Sequence, residues 1–145
     1  MAATNNQAAW QTLRSKLLAT GLLRTVTIGE PSLVSDGVTC AILATSATVD
    51  ETTLQSPREL HTTTLRFYGM LSDDNREQME FDLDAIRANI QADMFGDFDL
   101  GGTVAYLQPT AFNATWGFLQ VGQSWCRILE IPVTYRVDDR ATFVA

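Results

Sequence analysis

The sequence predicts an α+β domain: a mixed, largely antiparallel β-sheet packed against two α-helices, with a long C-terminal β-hairpin. Three observations carry that expectation. Apolar residues recur at helical spacing in two segments, near residues 7–20 and 75–94. β-branched and aromatic runs punctuated by Gly, Pro and Asp fill most of the remainder, as strands and turns do. The 145 residues, 46% hydrophobic and 19% charged, suit one globular unit spanning 1–145 that buries roughly two thirds of its unfolded surface.

In chain order, Thr4 followed by Gln7 three residues on is a capping-box pattern that opens the first helix. Trp10, Leu13 and Leu17 give that helix its apolar stripe, and Gly21 is placed to end it. "TVTIGEP" reads as a short strand closed by a turn at Gly29 to Pro31, and "GVTCAILAT" from Gly37 reads as another. The Ser-, Thr- and acid-rich "TSATVDETTLQSPREL", which holds Pro57, is expected to be a strand end and a mobile loop. "HTTTLRFYGML", His61 to Leu71, has the β-branched and aromatic content of a good strand.

The second helix is the most informative element, expected from about Asn75 to Met94. Ser72, Asp73 and Asp74 are candidate N-caps, and Glu77 and Glu80 lie where the helix dipole favours acids. Met79, Leu83, Ile86, Ile90 and Met94 form one stripe able to cover a sheet. Phe81, Ala85, Ala88, Ala92 and Phe95 form a second stripe on the opposite side. A helix with two apolar faces is expected to be sandwiched, its alanines letting the first helix or a neighbouring subunit approach closely. The competing explanation is an alanine face chosen for helix propensity and left in water; Phe81 and Phe95 at its ends weigh against that.

"GDFDLGGTVAYLQP" follows, with Gly96, Gly101 and Gly102 read as a helix stop and a tight turn that leads the chain into the sheet. Val in place of Gly101 and Gly102 is expected to damage folding or assembly. The terminal hairpin then joins "TAFNATWGFLQV" to "SWCRILEIPVTYRV" through Gly122-Gln123, a Gly-X pair suited to a type II′ turn. Trp125, Leu129, Ile131, Val133, Tyr135 and Val137 alternate along the second arm, and Arg127 interrupts them. Arms of about ten residues span roughly 33 Å, long enough for one end to project beyond the core. Pro132 has no N–H for a ladder and is expected at an edge or a bulge.

No catalytic, cofactor-binding or metal site is expected. The glycines follow a helix and precede a strand, the reverse of a dinucleotide fingerprint, and no Lys-Ser/Thr follows them as in a phosphate-binding loop. Asp93, Asp97 and Asp99 lack the Glu that an EF-hand loop places after its acids. His61 is the single histidine and lies among threonines in a strand, which suits a satisfied structural role. Two distant cysteines and one histidine serve zinc poorly. Cys40 and Cys126 fit buried free thiols in a reducing cytoplasm, or a disulfide if they pair across the sheet. The net charge of −7, with one Lys in the chain, opposes tight binding to a phosphate backbone. No apolar run is long enough to cross a bilayer, and the N-terminal "MAATNNQAAWQTLRSKLL" lacks the pattern of a secretory signal.

The run "MEFDLDAIRANIQADMFGDFDLGGTVAYLQP", followed by "GQSWCRILEIPVTYRVDDRATFVA", resembles the tail terminator proteins of long, non-contractile-tailed bacteriophages, particularly those of actinobacterial hosts. The likeness begins near "LRFYGML", Leu65 to Leu71, and continues to the C-terminus, about half the chain. It implies a virion protein of the head–tail joint, assembled in the host cytoplasm as a homohexameric ring. Such a ring stops polymerisation of the tail tube protein and offers a surface to the head-completion or stopper protein. Genomic DNA passes through its lumen without specific binding, and neither a membrane nor a catalytic group is involved.

Candidate interface positions on this reading are Phe81, Ala85, Ala88, Ala92 and Phe95 on the second helix, Asp97, Asp99, Gly101 and Gly102 at the corner, and Trp116 and Phe118 on the hairpin. Taken singly, each of the eight large apolar groups Trp10, Phe81, Phe95, Phe112, Trp116, Phe118, Trp125 and Tyr135 is expected in the core, with some of them as interface anchors the alternative. Two rival functions remain: another neck protein, such as a head–tail stopper or head-completion factor, and a small-ligand-binding α/β protein. Stoppers tend to be small β-barrels, which the long second helix disfavours, and a ligand carrier predicts a deep pocket with convergent polar groups.

Overall fold

Eight elements appear in the computed structural model, which describes residues 6–32, 34, 36–51, 58–96, 101–102, 104, 106–108 and 113–138. They are α1 (Gln7–Ala19), β1 (Thr25–Ile28), β2 (Val38–Glu51), β3 (Arg58–Met70), α2 (Arg76–Gly96), β4 (Tyr106–Leu107), β5 (Thr115–Val121) and β6 (Ser124–Asp138). The strands form one sheet in the order β1-β2-β3-β6, with β4 and β5 both paired to the far edge of β6. Only the β1–β2 pair is parallel, so the expected mixed, mostly antiparallel α+β architecture is observed.

The two sheet faces follow from register, because directly opposed residues share a face. Cys40 lies opposite Phe67, which lies opposite Leu129; Ile42, Leu65 and Ile131 form the next row. These rows are buried in one cluster with Leu13 and Leu17 of α1 and with Met79, Leu83, Ile86, Ile90 and Met94 of α2. The first α2 stripe is thus fully buried, as its spacing predicts. Both helices cover this one face. On the other face a smaller cluster of Ala41, Tyr68, Cys126 and Ile128 is flanked by Val34, Leu43, Leu119 and Val121.

Gly69 sets the seat of α2. It lies in β3 opposite Arg127 and Val38, and a Cβ built on it falls within 2.9 Å of Met79 Cγ and Cε and still closer to Sδ. The missing side chain is what lets the first turn of α2 rest on the sheet.

Several local expectations are corrected. α1 starts at Gln7 with Asn6 as its N-cap residue, and Thr4 lies outside the described residues. Asn6 makes no side-chain capping bond, because its amide is engaged elsewhere. The segment read as strand end and loop is mostly strand: β2 continues to Glu51 and β3 starts at Arg58, with register shifts between Ala44 and Ser46 and between Val49 and Glu51. Cross-strand partners override the weak β-propensity of its Ser, Asp and Glu residues. The hairpin arms are unequal, 7 residues in β5 and 15 in β6, because the upper part of β6 pairs with β5 and the lower part with β4.

The turns behave as read. Gly122 has φ +62°, as a primed hairpin turn needs at its first central position, and Gly101 and Gly102 have φ +66° and +86°. Asp97 and Asp99 of that corner lie outside the described residues. Pro132 stands opposite Thr64 on one side. Its nitrogen faces the other side, since Thr134, two residues on, accepts a bond there from Gln108 N at 2.9 Å. Among the described residues β6 is paired at that level with neither β4 nor β5, so the expected edge position is met locally.

Candidate interaction surface

The single histidine and both cysteines are committed to structure. His61 is buried, with Nδ1 3.1 Å from Asn6 Nδ2, Nε2 2.8 Å from Glu59, and its ring stacked on Tyr135 at 5.8 Å between centroids. Tyr135 donates its hydroxyl to Asn6 Oδ1 at 2.6 Å and lies 3.0 Å from the Thr63 hydroxyl, which also accepts from the indole of Trp10 at 3.0 Å. This network ties the head of α1 to β3 and β6 and gives His61 the satisfied role expected of it. Cys40 and Cys126 are both free and buried, and burial pushes both thiols up, away from the reactive thiolate. Among the described residues no cluster of His, Cys, Asp or Glu could hold a metal ion.

A cleft of about 230 Å³ opens between α2 and the start of β2, lined by Leu22, Gly37, Val38, Asp82, Ala85 and Ile86. Asp82 is its single charged wall and already accepts a bond from Gln78 at 2.8 Å. It offers none of the convergent polar groups that a small-ligand site uses.

Exposed apolar side chains define the surface instead. In β5, Trp116 and Phe118 lie opposite Leu129 and Arg127, and Gln120 lies opposite Trp125. This row is on the helix-covered face but extends past the helices, so Phe118 is 61% and Trp125 55% exposed, with Trp116 also in solvent. Trp125 therefore leaves the core stripe to which its alternation assigns it. Arg127 organises the ledge: its guanidinium lies 4.4 Å from the Phe118 ring centroid, and Nε donates to Glu80 of α2 at 2.6 Å. The ledge is thus fastened to the side of α2 by a cation–π contact and an ion pair.

The outer face of α2 is the second exposed surface. Phe81 is 61% exposed, and Ala85, Ala88 and Ala92 are exposed with it; the side chain of Phe95 lies outside the described set. α1 does not cover this face, because it meets the flank of α2 instead, through Lys16 and Asp93 at 3.4 Å. Among the described residues no element covers this face, so the first helix is not the expected cover. Three further exposed large apolar residues are not among the expected contact positions: Leu18, Leu22, which lines the cleft beside α2, and Ile28 of β1. The doublets Leu17-Leu18 and Leu22-Leu23 carry the signal of the first two, since one residue of each exceeds what a single apolar stripe can bury.

The bare face of the sheet carries a polar cluster with a pH consequence. Tyr68 donates to Glu30 at 2.7 Å, and Arg66 donates to Glu30 at 2.9 Å and to the Tyr68 oxygen at 3.3 Å. Burial pushes the Tyr68 phenol up from 10.0 to about 12. The folded state therefore holds this proton more tightly than the unfolded chain, so the stability it adds is complete below pH 10 and is lost as pH rises through 12. Denaturant midpoints between pH 10 and 12 are expected to fall more steeply for the wild type than for Tyr68→Phe; parallel curves would contradict this.

Compared with known proteins, the chain matches no family model and no curated sequence. Among the described residues no helix is long and apolar enough to cross a membrane.

Proposed function

We propose that the chain is a structural virion protein, a tail terminator that caps the tail tube at the head–tail joint as a hexameric ring. In this role it stops tube polymerisation, presents a surface to the head-completion proteins and lets DNA pass through its lumen. One observation carries the assembly half of the reading: Phe81, Trp116, Phe118 and Trp125 stand in solvent, while His61, Cys40 and Cys126 are locked inside. Large exposed apolar groups set among polar ones mark protein contact surfaces. The resemblance of the second half of the chain to tail terminators supplies the particular assembly. The net charge of −7 suits a lumen through which DNA slides without adhering.

The test is mass measurement of the purified protein, alone and after incubation with tail tubes. Six copies per particle, free or at the tube end, and tubes that no longer elongate are the expected results. A lone monomer that leaves tube growth unchanged would overturn the reading.

A further inference from the structure

We propose that the aromatic ledge docks an arginine-bearing segment of a partner protein, its guanidinium held between the Trp125 indole and the carboxylates of Asp73 and Asp74. This goes beyond the ring reading and does not rest on it.

The chain builds the same recognition once on itself. Arg127 lies 4.4 Å from the Phe118 ring centroid and its Nε donates to Glu80 at 2.6 Å, so one guanidinium is shared by an aromatic ring and a carboxylate. Two residues back along β6, on the same face of the sheet, Trp125 offers a second exposed ring. There the ring and the acids recur without a cation. Neither Trp125 nor Trp116 has a ring or cation–π partner among the described residues.

The acids are fixed beside that ring. Leu71 N donates to Trp125 O at 2.9 Å, and Asn75 closes the following turn by accepting from Ser72 N at 2.7 Å and donating to Met70 O at 2.9 Å. Asp73 and Asp74 are the exposed tip of this turn. Glu77 lies one turn before Glu80, on the flank of α2 that meets Arg127. Asp73, Asp74 and Glu77 have no ion-pair partner among the described residues. With Glu80 they outnumber the two basic groups at this margin, Arg76 and Arg127, so the ledge is bordered by net negative charge.

Charge and shape together select the occupant. A purely aliphatic segment would cover the rings and strip water from the acids without replacing it. A nucleic acid would bring phosphates against the carboxylates. A lysine ammonium is a strongly hydrated point charge, whereas a guanidinium stacks flat on an indole and bonds a carboxylate through its edge. Phe118 stands diagonal to Trp125, about 7 Å away, so an apolar residue two positions from the arginine in an extended segment reaches it.

The probes for this contact are the capped pentapeptide Leu-Ala-Arg-Ala-Leu and its versions with citrulline or lysine at the centre, titrated into the full chain. Indole N–H resonances in nuclear magnetic resonance spectra report binding. The arginine peptide is expected to shift the Trp125 signal and to bind ~10-fold more tightly than the neutral citrulline peptide and ~3-fold more tightly than the lysine peptide. Trp125→Ala and Asp73→Asn/Asp74→Asn are each expected to weaken it by ~5-fold or more. All three positions are exposed, so thermal unfolding of these variants should match the wild type; should one misfold, the three peptides on the wild type decide alone. Equal affinity for arginine and citrulline would mean that an uncharged apolar partner fits the ledge, and equal affinity for arginine and lysine that charge alone is read. Self-association without peptide that Trp125→Ala abolishes would mean that a second copy covers the ledge. Each of these results overturns the proposal, as does an unmoved Trp125 signal at about 10 mM peptide.

Discussion

Phe67→Ala is expected to lower the unfolding free energy by about 3–5 kcal/mol. Phe67 is fully buried in the C-terminal half of the central strand, between Cys40 of β2 and Leu129 of β6, and it belongs to the cluster roofed by α2. Strands on both sides and a helix above hold the surrounding walls apart, so the cavity left by the ring cannot collapse, and the loss combines transfer and void. Against a total stability of about 5–15 kcal/mol for a domain, such a loss leaves a chain near its folding threshold. Denaturant titration with an unchanged slope and a strongly lowered midpoint is the expected record. A midpoint shift equivalent to under ~1 kcal/mol would mean that the site relaxes and that the centre of the core lies elsewhere.

Gly69→Val is expected to cost about 1–3 kcal/mol or more through overpacking rather than through a void. The new side chain would occupy the space of the Met79 side chain and lift the first turn of α2 from β3. Strand geometry itself accepts Val, so the penalty comes from the helix contact alone. Shortening Met79 to Ala removes the obstruction, and the double variant should recover much of the loss, giving a coupling energy that opposes the single effects. If Met79→Ala and Gly69→Val simply add, the close approach is not what requires glycine here.

The elements most legible in the sequence are those whose periodicity and burial agree. Met79, Leu83, Ile86, Ile90 and Met94 repeat at helical spacing and all face the sheet. Gly122 and the Gly101-Gly102 pair mark turns because only a backbone with positive φ fits there. Illegible features depend on distant partners. Nothing local tells that Asn6 will spend its amide on His61 and Tyr135 rather than on a helix cap. The strand through Thr48 and Val49 forms because β3 lies alongside it, not because its residues favour strands. At the surface, Phe81, Trp116 and Phe118 are exposed although a large apolar residue taken singly favours the core, and Leu18, Leu22 and Ile28 are exposed with only the doublets Leu17-Leu18 and Leu22-Leu23 as a local sign of it. A repeating stripe points to the residues that the core takes in, and it is silent about the apolar neighbour for which the core has no room.

The placement of β6 between β3 and the outer strands sets an order of events during synthesis. It is the last of the described strands, yet it supplies Leu129, Ile131, Val133 and Tyr135 to the main core and the hydroxyl that holds Asn6, 129 positions earlier in the chain. Until those residues are available, α1 and α2 have only the β1–β3 part of their floor, from Cys40, Ile42, Leu65 and Phe67, against which to offset the entropy of fixing them. The main core therefore closes only once β6 has joined β3, and the aromatic ledge of Trp116, Phe118 and Trp125, which is built on the β5–β6 pair, takes shape late for the same reason.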